Sequence, residues 1–302
     1  MADLVTEQRN PRTLDIDVSE TLDVLRMLND EDARVPGAVR AVLPELAEIV
    51  DKAVVRFQSG GTIYYFGAGS SGRIAALDAA ELPPTFSIPG ERVVARVAGG
   101  SDALLRAHEE LEDDADAGRL DAADVREGDI VLGLSASGST PYVIGALSAA
   151  HGNGALCVAV SSNDNPELRA VCDHYLHVDT GPEPIAGSTR MKAATAQKLV
   201  LTGFSTALMV RLGMTYSNLM VEVAQTNDKL RTRAVRLLME ATGRSEADSR
   251  RALARCGGRI KVALLILMGA ESETAAATAL ELAGGRPREA LRHLDGHRSR
   301  MD

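Results

Sequence analysis

The sequence predicts an α/β protein: a doubly wound parallel sheet, with N-terminal helices before it and a C-terminal helical subdomain after it. Three observations predict this. Apolar, strand-like runs alternate with helical segments between residues 62 and 178. Several of those runs pass directly into loops of Gly, Ser and Thr, the usual exit of a parallel strand toward its helix. From Ser188 onward, helical spacing replaces the alternation.

The elements follow in order. Leu14, Val18, Leu22, Leu25 and Leu28 give helical spacing over 14–30, as do Val39, Val42, Leu46, Ile49, Val50 and Val54 over 37–58. Asn29-Asp30-Glu31-Asp32 reads as the link between them. Thr62–Phe66 reads as a buried strand that enters Gly67-Ala68-Gly69-Ser70-Ser71-Gly72-Arg73, and a helix is expected from Arg73 to Ala80, stopping near Pro83-Pro84. Arg92–Ala98 is a second strand, closed by Gly99-Gly100, and residues 102–117 read as helical. Asp129–Leu134 is a third strand, leading through Ser135-Ala136-Ser137-Gly138-Ser139-Thr140 into a helix over Pro141–His151 with proline in its first turn. Ala155–Val160 is a fourth strand, ending in Ser161-Ser162-Asn163, and His174–Val178 a short fifth. In the helical C-terminal part, Ser245 and Ser272 stand where N-caps belong. The expected domains are an N-terminal helical arm (1–54), the sheet domain (55–220) and the helical subdomain (221–302).

Composition excludes several function classes. The 302 residues carry a net charge of −9, against the basic excess of a nucleic-acid-binding surface. Aromatic residues are 3% and Trp is absent, which leaves few platforms for stacking bases. The longest apolar run, Val262–Ala270, is short for a membrane span, and Leu199–Met214 is broken by Arg211. Neither nucleic acid nor membrane is expected as a partner. Met1–Glu7 lacks the apolar core of a secretory signal, and the cysteine usage that follows points to a reducing cytoplasm as the expected location. Cys157, Cys172 and Cys256 are an odd number without CxxC spacing, which fits free thiols filling core volume. His174 and His177 lack a third ligand nearby and His108-Glu109-x-x-Glu112 is not HExxH, so no metal is expected.

Gly67-x-Gly69-x-x-Gly72 matches the dinucleotide fingerprint and lies between a strand and a helix. That fingerprint also needs an acidic residue at the end of the second strand, and here the strand ends in Ala98-Gly99-Gly100. No nicotinamide or flavin cofactor is therefore expected. What stands in its place is a set of hydroxyl-bearing loops at the ends of successive strands: Gly69-Ser70-Ser71-Gly72, Ser135 with Ser137-Gly138-Ser139-Thr140, and Ser161-Ser162-Asn163. Backbone N–H groups at helix starts, joined by Ser and Thr hydroxyls, make a cradle for a phosphate dianion. Ser188, Thr189 and Lys192 add hydroxyls and a cation at a further helix start. Small polar residues also gather in turns for conformational reasons alone, but several such loops on consecutive strands favour phosphate-ester binding. Two acids stand out. Glu81 lies at the C-terminal end of the first loop's helix, unfavourable for a carboxylate on dipole grounds, and it fits a solvated helix end as well as a catalytic role. Glu112 sits in an acidic run that by itself reads as a wet helix face. The residues alone thus indicate a small phosphorylated polar ligand, with carboxylate acid–base chemistry left open.

Read together, these segments resemble the N-acetylmuramic acid 6-phosphate etherases, a family built on the sugar-isomerase (SIS) fold. The resemblance is carried by Thr6-Glu7-Gln8-Arg9-Asn10-Pro11, Gly67–Arg73, Glu81-x-Pro83-Pro84-Thr85-Phe86 and Ala98-Gly99-Gly100. It continues through Ser137-Gly138-x-Thr140 to Leu147, Gly187-Ser188-Thr189-Arg190-x-Lys192 to Lys198, Asn218–Val221, and Thr226-Asn227-x-Lys229-Leu230, nearly the whole chain. It implies cleavage of a sugar phosphate's lactyl ether to N-acetylglucosamine 6-phosphate and D-lactate, in the salvage of peptidoglycan. It also implies a homodimer without metal or cofactor and a catalytic glutamate pair, Glu81 and Glu112; Glu81 is assigned here as the acid and Glu112 as the base, although the resemblance leaves open which is which. Three positions depart from the family pattern: Ala80-Glu81-Leu82 where Ser-Glu-Cys is common, Ser139 where Arg is usual, and Ser161–Asp164 where Cys-Asn-Pro is usual. The same fold and much of this motif set occur in a sugar-phosphate-sensing regulatory protein without etherase activity, and a phosphosugar aldose–ketose isomerase is a second alternative. The regulators carry a second SIS domain, and an isomerase needs only one base. Fold-related transcription regulators begin with a basic helix-turn-helix, whereas residues 1–55 are acidic.

Overall fold

Five apolar runs form one parallel sheet in the computed structural model, which describes residues 4–106, 108–223 and 228–298. The strands are β1 (Ile63–Gly67), β2 (Val93–Val97), β3 (Ile130–Leu134), β4 (Leu156–Ser161) and β5 (His174–His177), all within a residue or two of their expected positions. Their spatial order is β2-β1-β3-β4-β5. The chain therefore leaves β1 toward one edge and returns on its other side as β3. In a doubly wound sheet this reversal opens a crevice at the carboxyl ends of the two strands, where ligands bind. The strand ends are level there: Gly67 is the register partner of both Val97 and Leu134.

The helices of this part of the chain are α1 (Thr21–Asp32), α2 (Val35–Gln58), α3 (Gly69–Phe86), α4 (Ala115–Asp121), α5 (Pro141–Gly152), α6 (Pro166–Arg169) and α7 (Lys192–Arg211); α5 packs on β1, β3 and β4, and α2 on β3 and β5. β1, β3 and β4 are buried along their whole length, as continuous apolar runs between two helical layers should be. Side chains alternate between faces. Tyr64, Phe66, Val131, Cys157 and Ala159 share one core with Val143, Ala146 and Leu147 of α5.

The chain divides into two compact units. The first comprises Met1–Ala80 and Gly90–Ser205, the second Glu81–Pro89 and Thr206–Asp302. The second unit contains β6 (Thr215–Tyr216), β7 (Leu219–Met220), α8 (Asp228–Thr242), α9 (Glu246–Arg255), α10 (Ile260–Leu267), α11 (Glu273–Leu282) and α12 (Pro287–Arg298). Its core is centred on the apolar helix α10, where Ile260, Ala263, Leu264 and Leu265 are buried. Both expected caps form: Ser245 Oγ accepts from Asp248 N, and Ser272 Oγ from Ala275 N, each at 3.1 Å. Among the described residues, no helix is long and apolar enough to cross a membrane.

Five local expectations are corrected. Asn29–Asp32 is not a link but the last turn of α1, with Glu31 buried, and residues before Thr21 form turns. Helix α3 begins at Gly69 rather than Arg73. It also runs past both prolines to Phe86, because proline's fixed φ suits a helix and the last turn regains bonds from Thr85 Oγ1 to Glu81 O and from Ser87 N to Pro83 O. Residues 102–117 are not one helix but two 3₁₀ turns, Asp102–Leu104 and Glu109–Asp113, followed by α4. A continuous helix would stack Glu109 over Asp113 and Glu110 over Asp114, like charges four residues apart. Asp114 instead turns out of line and caps α4 by accepting from Ala117 N at 2.8 Å. Finally, the part after Ser188 is not purely helical: β6 and β7 form a hairpin, with Ser217 at φ 54° in its two-residue turn. Thr226 and Asn227 lie outside the described residues.

Candidate active site

The switch point holds a cavity of about 290 Å³ within the first unit, the size of a small polar ligand. The loop after β1 contributes Ala68, Gly69, Ser70, Ser71 and Arg73, and the loop after β3 contributes Ala136, Ser137 and Thr140. Glu7, His108, Glu112 and Thr189 complete the lining.

The glycines of the first loop allow backbone and ligand to approach closely. A methyl group at Gly72 would lie 2.5 Å from Val97 Cγ1 and 2.8 Å from Gly67 O, so only glycine lets α3 start against the sheet. Gly69 has φ 51°, which glycine adopts at little cost. A methyl group there would lie 2.7 Å from Glu112 Oε1. Glu112 is therefore laid against the first hydroxyl loop. The N–H groups in the first turn of α3 have no intrahelical acceptor and carry the positive end of the helix dipole, an anion site to which Ser70 and Ser71 add hydroxyls.

The second loop is organised from within. Ser135 is buried, its Oγ accepting from Gly138 N at 3.0 Å and lying 2.9 Å from Thr140 Oγ1. Ser137 Oγ accepts from Ser139 N at 3.1 Å and from Ser139 Oγ at 3.0 Å. Gly138 is buried at φ 77°. Ser137 and Thr140 thus face the cavity, while Ser135, Gly138 and the exposed Ser139 shape the loop that presents them.

The remaining candidates separate. Thr189 lines the cavity and Ser188 stands beside it in sequence without lining it. Lys192 is elsewhere: fully buried, its Nζ donates to Glu31 Oε2 at 2.7 Å and to Thr180 O at 2.8 Å. Glu31 also accepts from Asn10 Nδ2 at 2.8 Å and binds Arg12 through both Nε and Nη2. These donors, Arg12 foremost, hold its carboxyl at about 2, well below the usual carboxylate range. Burial pushes Glu183 up, although it accepts from Lys192 N and Ala193 N at the start of α7. Lys192 is therefore a structural cation that joins the N-terminal segment to α7. Glu81 is exposed and belongs to the second unit.

The third hydroxyl loop does not reach the cavity either. Ser161, Ser162 and Asn163 are buried, and Asn163 holds the N-terminal segment instead. Its Oδ1 accepts from Val5 N at 2.7 Å, and its Nδ2 donates to Thr6 Oγ1 at 3.0 Å and to Ala136 O at 2.9 Å.

Sequence reasoning assigned no site role to Glu7, Arg73 or His108. Arg73 Nε donates to Leu104 O at 3.2 Å and Nη2 to Arg106 O at 2.9 Å, tying α3 to the segment that leads to His108. His108 Nε2 lies 2.9 Å from Asp102 Oδ2, and that bond raises the imidazole's pKa, with Glu110 adding to it. Arg73 and Glu7 lie within the motifs Gly67–Arg73 and Thr6–Pro11, the signal that marks them, whereas no motif marks His108 as a cavity residue. Among the described residues, no group of three or more His, Cys, Asp or Glu could hold a metal ion.

Comparison with known proteins gives the class first. Residues 105–206 match the model of the SIS domain, and residues 45–151 that of the glucokinase regulatory protein N-terminal SIS domain. This is a SIS-domain protein, in agreement with the parallel sheet and its flanking helices. Curated relatives narrow it further. An N-acetylmuramic acid 6-phosphate etherase of Thermobifida fusca is 57% identical over 263 residues, covering 87% of this chain and 86% of the relative. Relatives of the same name from Brucella anthropi and Caldanaerobacter subterraneus are 47% and 46% identical, covering 95% and 98% of this chain and 94% and 97% of their own. The chain belongs to the N-acetylmuramic acid 6-phosphate etherase family.

Proposed function

We propose that this protein cleaves the D-lactyl ether of N-acetylmuramic acid 6-phosphate, giving N-acetylglucosamine 6-phosphate and D-lactate in peptidoglycan recycling. The observation that carries the reading is the pairing, in one switch-point cavity, of a hydroxyl-lined helix start with the Glu112 carboxylate. The first supplies what a phosphate ester needs and the second what a proton transfer needs. The etherase relatives match over nearly their whole length, whereas the regulatory-protein model covers residues 45–151, which favours the enzyme over a sensor.

The chemistry follows from the substrate. An alkoxide at C3 is a poor leaving group, so direct displacement by water is slow. Ring opening exposes a C1 aldehyde, which acidifies the C2 proton. Glu112 removes that proton as base, and Glu81, assigned by the motif match, protonates the departing lactyl oxygen. Water then adds at C3 of the unsaturated aldehyde. Each assisted proton transfer contributes about 10²–10⁴-fold. Ser70, Ser71, Ser137, Thr140 and Thr189, with the N–H groups around Gly69, hold the phosphate, so that remote binding energy fixes C2 and C3 against the base.

A cytoplasmic homodimer completes the reading. Cys157, Cys172 and Cys256 are all free, and Leu14, Val18, Leu22 and Leu25 near and on α1 are 48–79% exposed, an apolar face for a second copy. The test is incubation with N-acetylmuramic acid 6-phosphate and enzymatic detection of D-lactate. Glu112→Gln and Glu81→Gln should each lower release at least about a hundredfold with an unchanged melting temperature. Full activity in both variants overturns the assignment.

A further inference from the structure

A second carboxylate lines the cavity and has no part in the steps above. Glu7 follows directly on two residues that are fixed from several sides. Thr6 is fully buried, Thr6 O accepts from Gly187 N at 2.9 Å, and the Asn163 amide holds Val5 N and Thr6 Oγ1 while also reaching Ala136 of the second loop. A methyl group at Gly187, which has φ 76°, would lie 2.7 Å from Glu7 Oε2. Glu7 is thus laid over a left-handed glycine as Glu112 is over Gly69. Neighbouring polar residues Asn10, Arg12 and Thr13 are all engaged, in the Glu31 network or with Pro184 O. The Glu7 carboxylate has no hydrogen-bond or ion-pair partner among the described residues.

We propose that Glu7 is a substrate-binding residue that accepts hydrogen bonds from the hydroxyl groups of the bound sugar. Hydrogen-bond chemistry supports that division of labour. A phosphate dianion needs donors, which the helix-start N–H groups and the Ser and Thr hydroxyls supply, whereas the Glu7 carboxylate only accepts and so suits the uncharged, donor-rich remainder of the ligand. The N-terminal turn Val5–Glu7 is then part of the binding site, and Asn163 and Thr6 are positioning residues for it. The sugar's identity rests on the etherase reading, but the role of Glu7 requires only a sugar phosphate.

Calorimetric titration with N-acetylglucosamine 6-phosphate tests the proposal on the full chain, alongside thermal melting and D-lactate release. Glu7→Gln is expected to bind about 10-fold or more weakly than wild type with an unchanged melting temperature, since a charge-assisted hydrogen bond is lost. Its KM should rise more than its kcat falls. Thr6→Val, which removes the hydroxyl held by Asn163, should weaken binding in the same direction. Wild-type affinity in Glu7→Gln overturns the proposal, as does a loss of affinity that merely tracks a lowered melting temperature. A wild type that binds the sugar phosphate but releases no D-lactate overturns the etherase reading and leaves the role of Glu7 to the binding result.

Discussion

Glu31 and Lys192 show how much a single buried pair can decide. Both side chains are almost fully buried; Glu31 is the counter-charge of Lys192 and is itself shared between Lys192 and Arg12. Breaking a buried pair typically costs about 3–5 kcal/mol, less where a second partner such as Arg12 remains. Lys192→Met should therefore melt well below wild type in calorimetry, whereas Lys198→Met, outside this network, should not. The pair also makes stability depend on pH. Glu31 titrates near 4.5 when unfolded and at about 2 when folded. Its contribution is present above the unfolded value and is lost as pH falls from there toward the folded one, on the order of 3 kcal/mol. Glu183, pushed up by burial, gains its proton earlier in the same descent and works in the opposite sense. The comparison is consequently between proteins: Glu31→Gln should be less stable at neutral pH and should show a flatter acid limb in urea titrations between about pH 4.5 and 2. An acid limb as steep as that of wild type would remove Glu31 as its cause.

Among the helices, close backbone approach sets the geometry of the layer that carries the second loop. α4 and α5 meet at Gly118 and Gly145: a methyl group at Gly118 would lie 2.0 Å from Tyr142 O, and one at Gly145 would lie 2.1 Å from Ala115 O. Gly37, in the first turn of α2, has nothing within 4 Å. The same substitution should then have opposite signs. Gly145→Ala is expected to destabilise by about 1–3 kcal/mol through overpacking, and Gly37→Ala to stabilise by about 0.5–1 kcal/mol through a less flexible unfolded chain. Denaturant midpoints read both. Ser272→Ala should cost about 1 kcal/mol by uncapping α11. Elements of this kind were legible in the sequence because their causes are local: apolar runs, glycine-serine turns, a serine ahead of a helix. Segment 102–117 was not legible in this way: the helical reading leaves out its like-charge pairs four residues apart, which oppose a continuous helix.

At the scale of the whole molecule, the site is assembled from distant stretches of chain, and this limited what the sequence could tell. Two hydroxyl loops at the strand ends were legible, because parallel strands must exit toward their helices at one edge of the sheet. The destinations of Lys192 and Asn163 were not. Lys192 meets Glu31 across 161 positions and Asn163 meets Thr6 across 157, and nothing in the spacing distinguishes a cation turned to a ligand from one sunk beneath it. The same folding that withdrew Lys192 and the third loop brought in Glu7, Arg73 and His108, so the cavity is lined by fewer hydroxyls and more charge than the loops suggested.

In the proposed reaction, a sugar phosphate anchored at the switch point loses its C2 proton to a carboxylate before the ether bond breaks. Turnover of N-acetylmuramic acid 6-phosphate in deuterium oxide, with the product analysed by proton resonance and mass spectrometry, tests this most directly. The released N-acetylglucosamine 6-phosphate should carry solvent deuterium at C2, and Glu112→Gln should abolish both the label and D-lactate release. D-lactate released at the wild-type rate with protium retained at C2 would contradict it.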